Sequence, residues 1–309
     1  MPKIALVTAD AARARDEDLE PLLAACAGAG LDAEVVSWNA HNTDLSDFAL
    51  AVLRSPWDYA EQLPEFLAWC ERSAEQTTLL NPLDVVRWNT DKHYLVDLAR
   101  SGVACVRSTF VEPGQHADGG VTAFLGEHAS AAEFVVKPAV GAGSRGARRF
   151  ARAESVEAIA HAHALLQASR SALVQPYLAN VDRRGETALM FFDGAYSHAI
   201  RKGPLLPLGG AATDGLFAPE AITPREPSAP ERALAEAVVA AVGARFPQFA
   251  PLAYIRVDLL LDENDLPCVL ELELVEPSLF FDHRPRSADR FAQVLAARAA
   301  AEWRGIERA

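Results

Sequence analysis

Three carboxylates near the C-terminus stand where a buried hairpin is expected. In YIRVDLLL, Asp258 lies mid-strand, while Glu271 and Glu273 lie on the return strand VLELELVEP, two apart and so on one face. Ionised carboxylates among leucines and valines are costly unless something neutralises them. Mg2+ shared with substrate phosphates suits such hard oxygen donors. A solvated polar face of an edge hairpin is the plainer account.

A second constellation lies upstream. GAGSRG, Gly141 to Gly146, matches GxGxxG, but ARRF continues a strand pattern after it and position 166 is Leu. A dinucleotide site needs a helix directly after the loop and an acid about 20 residues on, so that reading fails. A glycine loop closing a hairpin can instead fold its amides over nucleotide phosphates; an unliganded turn explains the loop alone equally well. Lys137, inside the apolar strand FVVKP, favours the phosphate, since a lysine on a buried face needs an anionic partner. Sharing a face with Val135, it points outward only if Val135 does too. Arg201 and Lys202 in SHAIRKGP face opposite ways, so at most one enters a site.

These residues need elements to carry them. KIALVT, AEVVSW, FALAVLRS and TLLN read as strands alternating with helices such as LPEFLAWCERSAEQ, a small parallel α/β unit. WNTDKHYLVDLARSGV is expected to be one helix, capped by Thr90 or Asp91 and ended by Gly102, with Lys92 opposing the dipole in its first turn. EPGQHADGG reads as a loop. Then come strand EFVVKP, the glycine loop, strand ARRF, helix SVEAIAHAHALLQAS and strand ALVQPYL. A hairpin turned at Asp193-Gly194 follows. The Gly- and Pro-rich loop from Leu205 to Pro230 reads as a lid, and a helix, the acidic hairpin and a last helix complete the chain.

Composition narrows the function. At 309 residues, two or three subdomains are expected, and 42 acids against 29 Lys and Arg leave a net charge of −13 that disfavours sequence-independent nucleic-acid binding. Four scattered cysteines, no signal-peptide pattern and no membrane-length apolar run predict a cytoplasmic protein. A protein kinase would place its lysine after the glycine loop and carry HRD and DFG motifs, which are absent.

The order Lys92, FVVKP, GAGSRG, VQPYL, Glu186, RKG, RVD and ELELVEP resembles the ATP-grasp carboxylate–amine ligases from about residue 85 onward. RSPWDY, NTDK, SHAIRKGP and LELELVEPSLFF resemble the branch that holds the O-ureido-serine cyclo-ligase of cycloserine biosynthesis. The resemblance implies an ATP-grasp fold of mixed α/β (α+β) class. An N-terminal unit (1–88) precedes a central ATP-grasp subdomain (89–182) and a C-terminal one (183–309), the last two sandwiching ATP. It implies that Lys92, Lys137, Gly141, Gly143, Ser144 and Gly146 hold the phosphates, and that Gln175, Tyr177 and Leu178 line the adenine pocket. Glu186 is then a candidate for the ribose, and Arg201 stabilises the transferred phosphoryl group. Asp258, Glu271 and Glu273 bind one or two Mg2+, or Mn2+. Many members have Asn where Glu273 stands and a proline three residues on; here Glu276 precedes Pro277, leaving Glu276 a ligand, a substrate contact or neither. Gln175 likewise replaces a usual acid. Arg54, Ser55, Trp57 and Asp58, with Tyr59 and Glu276, are the candidate substrate residues, with the two aromatics better explained by packing between subdomains. The implied reaction activates a carboxylate as an acyl phosphate for attack by nitrogen. Intramolecular cyclisation of an O-ureido-serine-like amino acid is the leading form; intermolecular amide ligation and an inactive ATP-binding module are the alternatives. A homo-oligomer is expected, with no nucleic-acid or membrane partner.

Overall fold

Every residue of the strand that ends in Arg54 and Ser55 is buried, as a parallel sheet covered on both faces requires. The computed structural model describes residues 1–40, 43–210 and 221–306. Strands β1 (Lys3–Thr8), β2 (Asp32–Ser37), β3 (Leu50–Ser55) and β4 (Thr78–Leu80) pair in parallel in the order β2-β1-β3-β4. Helix α1 (Leu19–Gly28) lies on one face. On the other, α2 (Leu63–Gln76) packs Phe66 and Trp69 against Val7 and Leu53.

The helix expected after a cap at Thr90 or Asp91 is α4 (Tyr94–Arg100), which starts later than expected, and a short helix without a sequence expectation, α3 (Leu83–Asn89), precedes it. Asp91 Oδ1 accepts the His93 N–H at 3.0 Å and starts the chain turning afresh. Lys92 therefore sits in the break rather than in a helix's first turn, its N–H donating to the Ala139 carbonyl at 3.0 Å. The conflict between a first-turn lysine and the helix dipole is relieved.

The second sheet is antiparallel. It contains β5 (Thr109–Val111), β6 (Glu133–Pro138), β7 (Arg148–Ala151) and β8 (Ala172–Pro176) in the order β5-β8-β6-β7. α5 (Ala117–Glu127) and α6 (Ser155–Gln167) cover it around Phe124, Phe134, Phe150 and Leu165. α5 occupies part of the segment expected to be a loop. Gly120 explains the helix as well as its weak signal, because a Cβ there would come within 2.4 Å of Val111 Cγ2. Close packing on β5 outweighs the propensity cost of glycine in a helix.

After α7 (Asn180–Arg184), the third sheet contains β9 (Glu186–Phe192), β10 (Ala195–Lys202), β11 (Ile222–Arg225), β12 (Tyr254–Leu261) and β13 (Pro267–Glu273), ordered β11-β10-β9-β12-β13. Asp193 and Gly194 turn the β9–β10 hairpin at φ 51° and 75°, as a tight right-twisted hairpin demands. α4 and α8 (Ala229–Arg245) cover one face of this sheet, so α4, within the expected central unit, packs against the C-terminal one. On the other face α9 (Ser287–Ile306) places Phe291 and Leu295 in a core shared by Met190, Phe192, Ile4 and Leu6, joining the first and third sheets. Of the loop expected to be a lid, residues 211–220 lie outside the described residues.

Candidate active site

Side chains of the second and third sheets line a cavity of about 630 Å3, which Arg15 to Asp18 and Trp57, beyond the C-terminal ends of β1 and β3, bound at one side. Ligands of open parallel sheets bind at such strand ends.

The glycine loop and both expected lysines meet here. Gly141, Gly143 and Ser144 line the cavity, whereas Gly146 does not; it turns the chain at φ 72° and its carbonyl bonds His161 Nε2 at 2.8 Å. Lys92 is buried, and its Nζ donates to the Gly141 carbonyl at 2.8 Å and to Glu271 Oε1 at 2.9 Å. Burial works against its charge but Glu271 prevails, and its pKa is raised. Lys137 shares the cavity wall with Val135, as alternation predicts. Among the described residues it has no hydrogen-bond or ion-pair partner. Loss of water pulls its ammonium down to about 8 against the attraction of Glu271.

At the other end Gln175, Tyr177 and Leu178 line the cavity together. Gln175 is buried and donates through Nε2 to Ser108 Oγ at 2.9 Å, while Ser108 donates to the Val106 carbonyl at 2.9 Å. The serine is thereby fixed as an acceptor, leaving the Gln175 carbonyl as the free end of the amide.

Between these ends lies the acidic cluster, and its partners are the protein's own cations. Asp258 opposes Glu271, and Arg256 opposes Glu273, across the β12–β13 ladder. Arg256 grips Asp258 through Nε and Nη2, both at 2.9 Å, and also pairs with Glu273. Lys202 bonds Asp258 Oδ2 at 2.8 Å and pairs with Glu186. Burial opposes the charge on Asp258, but Arg256 and Lys202 hold its carboxyl well below the carboxylate range. Burial lifts Glu273 well above its ordinary range, lifts Glu186 to about 8, and is overcome at Glu271 by Lys92 and Lys137, which depress it. Asp258, buried behind Lys202 and Arg256, does not line the cavity; Glu271, Glu273 and Glu186 do.

Several expected residues lie elsewhere. Arg201 points away from the cavity, donating from Nε to the Arg184 carbonyl at 2.7 Å, and alternation brings Lys202 inward instead. Arg54 is fully buried, stacked near Tyr254 and Phe291, donates to the Leu53 and Pro277 carbonyls, and does not line the cavity. Ser55 bonds the Thr8 hydroxyl at 2.8 Å, and Asp58 accepts from Trp38 Nε1 and Asn39. Of that segment only Trp57 lines the cavity, with Glu276 beside it. Three contributors carry no sequence expectation. Arg256 lies two residues before Asp258, so period-two alternation alone places it on the same face. Asn89 bonds the Leu272 carbonyl at 2.9 Å and accepts the Leu274 N–H at 2.7 Å, and Asn81 donates to the Tyr254 and Leu274 carbonyls; both pin the strand that bears the acids. No local pattern announces such long-range contacts.

A family model described as the N-terminal domain of D-cycloserine synthetase DcsG matches residues 4–81. The chain is 44% identical over 296 residues, 96% of its own length and 98% of the relative's, to the cycloserine biosynthesis protein DcsG of Streptomyces lavendulae. It is similar to the crystal structure of D-cycloserine synthetase DcsG at TM-score 0.92 and 42% identity, covering 96% and 99% of the two chains. The ATP-grasp ligase PsnB, solved with a precursor variant, Mg and ADP, shares the fold at TM-score 0.61 and 16% identity, with 96% and 99% covered. Identity at that level across nearly the whole of both chains makes this protein a member of the DcsG family, and its fold is that of the ATP-grasp ligases.

Proposed function

We propose that this ligase uses Mg-ATP to phosphorylate the carboxylate of an O-ureido-serine-like amino acid and closes the cycloserine ring by attack of the ureido nitrogen within the same molecule. One observation carries the nucleotide half of the reading. Lys137 stands in a cavity wall under a glycine loop, attracted by Glu271 but with no hydrogen-bond or ion-pair partner among the described residues. A triphosphate supplies that partner. Gln175 accepts the adenine amino group through its carbonyl, and Glu186 is the ribose candidate.

Phosphoryl transfer depends on positioning and charge stabilisation. The role assigned on sequence to Arg201 falls here to Arg256 and Lys202, the cations that face the cavity. Among the described residues no group of three or more metal-binding side chains is arranged to hold an ion; the acids are turned to Lys92, Lys202 and Arg256. Their donor chemistry nevertheless fits, since Glu271 and Glu273 present hard oxygens to the cavity. Those two would hold Mg2+, with Asp258 behind them orienting Lys202 and Arg256. Bound Mg2+ supplies charge neutralisation at the triphosphate oxygens.

The test is ADP release from Mg-ATP with O-ureido-D-serine, with mass spectrometry of the product. Substrate-dependent ADP and a ring product are expected; release with unlinked amines but not with the ureido compound sinks the cyclisation reading. Lys137→Ala should raise the KM for ATP at least tenfold, and an unchanged KM removes Lys137 from the nucleotide site.

A further inference from the structure

Arg54, Trp57 and Tyr59 converge on two consecutive residues. Arg54 donates to the Pro277 carbonyl at 2.7 Å, Trp57 Nε1 to the Glu276 carbonyl at 3.0 Å, and the Tyr59 hydroxyl hydrogen-bonds the Glu276 carboxylate. Just beyond, Asp18 accepts the backbone N–H groups of Leu279, Phe280 and Phe281. A segment pinned so densely presents one ionisable side chain, Glu276, to the cavity. The segment after β3 thus serves Glu276 rather than a ligand.

The chemistry of the ring-closing reading, on which this rests, needs a group at that place. A free amine attacks an acyl phosphate with an available lone pair. A ureido nitrogen does not: its pair is delocalised into the carbonyl, so its proton must leave as the new bond forms. We propose that the Glu276 carboxylate accepts the N–H proton of the attacking ureido nitrogen, and that Tyr59, Trp57 and Arg54 position it to do so. The nitrogen pair forms the C–N bond, and the C–O bond to phosphate breaks with its electron pair leaving on phosphate. The proton goes to Glu276, and the carbamoyl group stays on the ring nitrogen in this step.

The surroundings suit the task. Glu276 is faced by Tyr59 from the segment after β3, Lys92 from the α3–α4 break, Glu271 on β13 and Arg256 on β12. Burial, helped by Glu271, lifts its carboxyl to about 7, while Tyr59, Lys92 and Arg256 resist. A base poised near the working pH is ionised yet still accepts a proton.

Two half-reactions of the full-length chain with Mg-ATP and O-ureido-D-serine separate this role from simple binding. Hydroxylamine traps the acyl phosphate as a hydroxamate; without it, the ring product is counted by mass spectrometry. Glu276→Gln should form hydroxamate at a rate comparable to the native chain while ring formation falls by about 100-fold or more, and Glu276→Asp should recover part of the loss. Tyr59→Phe removes a bond that favours the ionised carboxyl, so the rising limb of ring formation against pH should move to higher pH with hydroxamate yield unchanged. Parallel loss of hydroxamate and ring in Glu276→Gln, full ring formation in that variant, or a Tyr59→Phe limb that stays in place would each overturn the proposal. A native chain that releases no ADP with this substrate overturns the ring-closing reading itself, before any variant is compared.

Discussion

Lys137 carries no carboxylate partner, and loss of water holds its ammonium down at about 8. The sign is simple: below that pH it is charged and, in the proposed nucleotide site, attracts the triphosphate, and above it the attraction fades. The KM for ATP of the free enzyme should therefore rise as pH climbs through about 8, and Lys137→Arg should flatten that rise, because guanidinium stays charged throughout. Arg201 and Arg256 divide sharply. Arg256→Ala strips Asp258 and Glu273 of a shared cation and should cut turnover by about 100-fold or more, whereas Arg201→Ala, outside the cavity, should cost at most a few-fold; steady-state kinetics of both variants decide. At the adenine end, Ser108→Ala frees the Gln175 amide to rotate and should reduce the preference for ATP over GTP by about tenfold, one hydrogen bond's worth, as read from paired kcat/KM values. Alternation showed that Arg201 and Lys202 could not both face inward, but period two does not say which face is the inner one. Only packing settles that: Ala199, on the face of Arg201, lies against α8, and Ile200, on the face of Lys202, turns to the first sheet.

Elements with strong local signals were legible to the residue. LPEFLAWCERSAEQ is α2, EFVVKP is β6, and the Asp193-Gly194 turn joins β9 to β10. Elements settled by distant contacts were not. α5 hides behind Gly119 and Gly120, and at Gly120 the missing side chain is an asset only once Val111 is known to lie against the helix. The break at Lys92 carries no local signal because the residues that hold it, Ala139 and Gly141, come from the distant loop after β6. Asn89 belongs to the same class, and its two bonds to the β13 segment make a prediction at this scale. Asn89→Ala leaves the buried Leu272 carbonyl and Leu274 N–H without their partner and should destabilise the fold by about 2–4 kcal/mol. Urea unfolding measures it, and a loss below about 0.5 kcal/mol, the range of an ordinary surface change, would show that the pin is idle.

Across the whole molecule, three sheets meet around one cavity, and the acids that first drew attention are compensated from all sides. Lys92 comes from between two helices, Lys202 and Arg256 from the two strands of one sheet that flank β9, and Lys137 from another sheet. Buried charge held in this way is expensive to leave half-paired, so the cluster marks function rather than stability. The glycine loop also reaches across the molecule. Arg145 donates to the Trp57 carbonyl at 2.7 Å and to Glu61 at 2.6 Å, while the Trp57 indole holds the Glu276 carbonyl. On the proposed reading, one tryptophan thus stands between the cover of the triphosphate and the proton acceptor, like a linkage rod between a door and its bolt. Swinging the cover away tugs at the acceptor, so activation without a properly seated cover would send the high-energy intermediate to water. Arg145→Ala, which cuts the rod at one end, should release more ADP per ring formed, and an unchanged ratio would mean that door and bolt move independently.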